Sequence, residues 1–238
     1  MGGYTGSAVA LLLVTLYSNC SAPPVDVVFY RSDDYRFTRA ERRLIEGIAE
    51  QAVADVRALL PDLPPFLILR VQAGPEVLES TGDNAGRATP NVVYWTVDPD
   101  SPGGVRAVAQ ASLRRSLFLH LYGLAREAAL GEPRTVLTAS LDFGLATMFA
   151  RDSSGDEVPW ATYPRDAATW VGEVAALPDD ADFTGWMDQH RDGRRNVGPQ
   201  AGKLLADEAI RRSGRSAAEL VSTPAAAILE IATAGVSE

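Results

Sequence analysis

Two histidines, His120 and His190, and one cysteine, Cys20, supply all the imidazole and thiol in this chain of 238 residues. A single cysteine excludes a disulfide framework and any zinc or iron–sulfur site built on cysteines. Two imidazoles leave little for metal binding or general acid–base work. Nucleophilic chemistry finds no better support, because Ser112, Ser116 and Ser140 have no candidate base beyond those histidines. The chain carries no G-x-S-x-G, no G-x-x-x-x-G-K-[ST] phosphate loop and no G-x-G-x-x-G after a strand. Asp179-Asp180 falls in loop sequence and serves to solvate it. His190 sits in a charged turn, Asp188 to Arg195, whose Arg191, Arg194 and Arg195 could face an acidic partner. His120 belongs to a stripe with Leu113, Leu117, Leu124 and Ala128, which turns it toward the core as a hydrogen-bonded histidine.

The elements that must position these residues follow from local pattern. Val25 to Tyr30 reads as a short strand, Phe66 to Val71 as a second and Asn91 to Val97 as a third. Thr38 and Glu41 form a capping box that opens a helix with the stripe Leu44, Ile45, Ile48, Ala52, Val56 and Leu59. Ser80 to Pro90, rich in Gly, Asp and Asn, reads as a loop or the edge of a small sheet. From about Val105 the pattern is helical: one helix to Leu130, closed by Gly131, and another from Val136 to Ala150. A third starts at Asp166, and a fourth begins after Gly198-Pro199 and ends near Gly214. Ser216 and Glu219 make a further capping box, and Thr223 caps a last helix with Pro224 at its first position. Strands first and helices after make an α+β chain, a small mixed sheet with one helix followed by a mostly helical body.

Composition narrows the function. An apolar share of 46% excludes wholesale disorder, and a net charge of −9 excludes a general nucleic-acid binder. Ala8 to Tyr17 is apolar apart from Thr15, about half the length needed to span a bilayer, and fits the apolar part of an export signal. Cys20 follows directly, in a position that resembles the lipid-modified cysteine of bacterial lipoproteins. The expected organisation is an export segment and linker over residues 1–24 and one domain over residues 25–238. Membrane association is expected only through a lipid on Cys20.

This order of elements resembles a bacterial family of predicted zinc-dependent proteases with the gluzincin fold, over roughly residues 25–234. The resemblance rests on the segments ATPNVVYWTVDP, SLFLHLYGLAREAAL and TASLDFGLATMFARD, and on a closing SAAELVSTPAAAILE that is similar to the family's ending. In the family the first long helix carries H-E-x-x-H and the next carries S-E-G-L-A. Two histidines one helical turn apart share a zinc ion, the adjacent Glu polarises its water, and the second helix adds a carboxylate ligand. Here the first histidine falls on His120, the catalytic Glu position is Leu121, the second histidine is Leu124 and the third ligand is Phe143. The family's Gly-Tyr step near the penultimate helix is replaced by Gly202-Lys203. Leucine cannot ligate zinc, and catalytic zinc uses three protein ligands. Asp142 and Glu127 are remote substitutes: a one-residue shift turns a side chain by about 100°, and seven residues move it about 10 Å along the helix. The resemblance therefore implies an exported, non-catalytic relative of zinc proteases that acts by binding a protein or peptide, without a cofactor. The alternative is a zinc hydrolase with a rearranged site around His120, Asp142 and Glu127.

Overall fold

A computed structural model describes residues 25–60, 62–89, 91–155 and 163–234. Cys20 and the apolar run before it lie outside the described residues, as does Trp160.

Strand β1 (Val25–Phe29) leads through helix α1 (Arg39–Leu59) to β2 (Leu67–Ala73), and the two strands are parallel, with Val27 opposite Leu69. The Thr38–Glu41 capping box forms as the sequence predicts. The Glu41 N–H donates to Thr38 Oγ1 at 3.2 Å, and the Thr38 N–H donates to Glu41 Oε2 at 2.7 Å. Ile45, Ala49, Ala52, Val53 and Val56 of α1 are buried. Leu59, expected on the same stripe, is 48% exposed because the helix ends there and the chain turns away.

Strand β4 (Val92–Val97) adds parallel to β2, and β3 (Asp83–Thr89) adds antiparallel to β4, giving the order β1-β2-β4-β3. The Ser80–Pro90 segment thus contains a seven-residue edge strand. Its composition, DNAGRAT, is poor in strand formers, so β4 holds it from outside. The Tyr94 phenol lies over Gly86 where any Cβ would overlap it. Trp95, fully buried, donates its Nε1–H to Asp83 Oδ2 at 2.7 Å.

The rest of the chain is helical, which makes the architecture α+β. Helix α2 (Gly104–Val108) passes through a π-helical turn (Ala109–Leu113) into α3 (Arg114–Leu130), which Gly131 ends in the left-handed conformation at φ 57°. Helix α4 (Val136–Ser154) runs a turn beyond the expected Ala150 and stops at Gly155, φ 75°. It is buried on most of its circumference, between α3 and α7. Then follow α5 (Ala167–Ala175), the short α6 (Phe183–Met187), which the sequence did not announce, and α7 (Val197–Ser213). Helix α7 opens at Asn196, φ 53°, one turn earlier than Gly198-Pro199 suggested; Pro199 sits in the first turn, where a missing N–H is harmless.

Ser216 and Glu219 cap a 3₁₀ turn (Ala218–Leu220) with an N–H to Oγ distance of 3.3 Å. The last helix, α8 (Ala225–Thr233), has Pro224 rather than Thr223 at its cap. A distant acid does the capping: Glu132 accepts the Ala225 N–H at 3.0 Å. No described helix is long and apolar enough to cross a membrane.

Candidate functional site

Helices α3 and α4 form a hairpin, and β3 lies against α3. Between them runs a groove made of two adjoining cavities of about 480 and 440 Å³. They share Leu119 and His120 of α3, Phe143 of α4 and Met187, which separate the two cavities.

His120 is half-buried in the groove rather than turned to the core. The core face of α3 is instead Leu113, Leu117, Leu121 and Leu124, and Ala128 is exposed. Burial and the positive charge of Arg87 push the His120 pKa down from 6.5 to about 4, against a hydrogen bond with the Ala85 backbone and the charge of Asp83. The imidazole is therefore neutral at neutral pH. Leu121 and Leu124, which the resemblance set at the catalytic Glu and second-ligand positions, are 1% and 2% exposed and belong to the main core. Phe143, which the resemblance set at the third-ligand position, is half-buried in the groove wall.

Asp142 and Glu127 both line the larger cavity with His120. Each is committed to an arginine. Glu127 accepts from Arg87 Nη1 at 2.8 Å, and Asp142 accepts from Nε of Arg126. Burial raises the Asp142 pKa, opposed by Arg126. Among the described residues no three His, Cys, Asp or Glu side chains gather where they could hold one metal ion.

Ser112 and Ser140 donate to the carbonyls of Val108 (2.9 Å) and Val136 (2.6 Å) on their own helices, which leaves neither hydroxyl as a nucleophile. Ser116 Oγ donates to Asp83 Oδ2 at 3.2 Å in the smaller cavity. His190 is far from this chemistry: its Nδ1 lies 2.9 Å from Asp192, and its ring rests on Trp186 with centroids 4.5 Å apart. Arg194, read as surface with the option of an acidic partner, is held by both oxygens of Glu173 (3.1 and 2.8 Å) and by Asp192.

The sequence missed four groove residues. Arg87 reaches across from β3 to α3. Asp83, 3% exposed, links β3, β4 and α3 through Trp95 and Ser116. Lys203 of α7 is buried with its ammonium 4.3 Å from the Tyr163 ring centre, and burial lowers its pKa. Arg115, the second of an Arg-Arg pair that looks like a solvated face, is buried in the smaller cavity. Only its place four residues before Leu119 and seven before Tyr122 hinted at this.

The rim of the groove is a strand edge. The Asp83 carbonyl accepts from the Leu78 N–H at 3.0 Å, while the neighbouring Gly82 carbonyl accepts from Asp98 on the β4 side. Asp83 therefore turns its backbone groups away from β4, and the two-residue period turns Ala85 and Arg87 the same way. No family model, no curated protein and no solved structure matches the chain.

Proposed function

We propose that the chain is an exported, gluzincin-like relative of zinc proteases that binds a peptide or protein segment in this groove and does not cleave it. The observation that carries the reading is the filling of the catalytic positions. Leu121 and Leu124 extend the core and Phe143 walls the groove, while the groove itself and the outward edge of β3 persist. An extended segment pairs with such an edge through its main chain, and side-chain pockets select its sequence. Export through the Ala8–Tyr17 segment, with a lipid on Cys20, completes the proposal.

Purified protein incubated with one equivalent of zinc and a mixture of quenched-fluorescent peptides tests it. The expected result is no chelator-sensitive cleavage and measurable peptide binding by fluorescence polarisation. Arg87→Pro, which removes the outward N–H, lowers that binding by about tenfold, whereas Arg87→Ala retains most of it. Chelator-sensitive cleavage that disappears in His120→Ala would overturn the reading. In cells, Cys20→Ser is expected to move the protein from the membrane fraction to the soluble one.

A further inference from the structure

Arg115 is 8% exposed, lines the smaller cavity, and has no hydrogen bond, ion pair or ring contact with any described residue. A guanidinium cannot lose its proton, so it has no way to relieve burial by becoming neutral. Buried charges in proteins are normally paired, because an unpaired one is strongly destabilising. Among the described residues of the cavity wall the one carboxylate, Asp83, is engaged by Trp95 and Ser116. The first turn of α7, through Asn196 and Pro199, presents a helix N-terminus there. The larger cavity differs: there Arg87 faces Glu127, and Arg126 faces Asp142 and Glu132. Among the described residues, the unpaired buried guanidinium of Arg115 thus lies at one end of the groove, beside the apolar side chains of Leu119, Phe143 and Met187.

The geometry points to a carboxylate of the bound peptide as the counterion of Arg115, with an adjoining apolar residue of that peptide against Leu119, Phe143 and Met187. This rests on the groove being a peptide site. One guanidinium fork matches one carboxylate with two parallel hydrogen bonds. The carboxylate is the peptide's C-terminus or an Asp or Glu side chain. The two are the same chemistry at Arg115 and differ only in where the peptide ends.

Three arms of fluorescein-labelled hexapeptides on the full chain test this: neutral apolar sequences as free acids, the same sequences as C-terminal amides, and amides carrying one internal Glu. The expected result is that the free-acid or the Glu arm binds about tenfold or more tighter than the neutral amides. The arm that does so identifies the source. Arg115→Met abolishes the preference while the variant melts at the same or a higher temperature, since it removes an unpaired buried charge. Arg115→Gln gives the same answer if the Met variant fails to fold. Equal binding of acids and amides, or a preference that survives both variants, overturns the inference and leaves peptide binding intact. Arg115-dependent binding of N-acetylphenylalanine with no peptide binding keeps the carboxylate site and removes the peptide reading. No binding by any probe overturns both.

Discussion

Gly144 of α4 packs directly on the backbone of Gly202 in α7: a Cβ on Gly144 would overlap the Gly202 carbonyl, and one on Gly202 would overlap the carbonyl of Ser140. Both glycines sit in segments where the family resemblance suggested active-site motifs. In this fold they let two helices touch. Because the obstacle is backbone, neither helix can yield by turning a side chain. Gly144→Ala and Gly202→Ala are each expected to cost about 3 kcal/mol or more in urea unfolding, the upper end for overpacking. Gly47→Ala in α1, where nothing lies within 4 Å of the added Cβ, is the control and should stabilise by about 0.5–1 kcal/mol.

Arg126 holds the C-terminal part of the chain to the helical hairpin. Its side chain is 1% exposed. Nη1 donates to the carbonyls of Leu220, Val221 and Thr223 at 3.3, 3.2 and 2.8 Å, and Nε donates to Asp142. Arg126→Met leaves these acceptors without a donor and is expected to cost about 3–5 kcal/mol. Arg126→Lys does not rescue it, since one ammonium cannot span both the carboxylate and the carbonyls. Native-state hydrogen exchange should show α8 losing protection before α4.

The Trp95–Asp83 hydrogen bond anchors a strand whose own residues do not favour strand. Trp95→Phe keeps an aromatic side chain but removes the donor from a buried carboxylate and leaves a cavity where the second ring of the indole was, at an expected cost of about 3 kcal/mol or more in urea unfolding. Trp95→Phe combined with Asp83→Asn should cost less than the sum of the two single changes, which a double-mutant cycle measures.

His120 gives a pH signature whose sign follows from its lowered pKa. The folded protein binds the proton less readily than the unfolded chain. The contribution is therefore complete above pH 6.5 and is lost as pH falls from 6.5 toward about 4. The loss amounts to at most about 3 kcal/mol. Unfolding free energy should decline between pH 6.5 and 5, and His120→Gln, which retains a donor for the Ala85 backbone, should flatten that decline. An unchanged slope in the variant would contradict the assignment.

Local signals were readable and distant ones were not. Thr38 and Glu41 are three residues apart and cap α1 whatever the rest of the chain does. The same holds for Ser216 and Glu219. Strand β3 was legible only as one of two readings, a loop or a sheet edge, because its stability is lent by Tyr94 and Trp95 of β4. The face of α3 was ambiguous for another reason. Leu113 and Leu117 continue equally well into His120 or into Leu121, and only the landing of β3 on α3 decides that His120 faces the groove. Thr223 looked like a cap because nothing in the local sequence reveals Glu132 waiting at Ala225. Arg115 was opaque because its surroundings come from α7, late in the chain.

Lys203 is the only lysine in the chain, and it is 3% exposed. Amine-directed cross-linkers and labels therefore find no lysine on the folded surface, and complexes of this protein would escape lysine-based mapping. The same scarcity makes Lys203 a single-site timer. Its acylation rate under native conditions counts how often the α7 wall and the Tyr163 contact open, with no surface amine side chain to blur the reading.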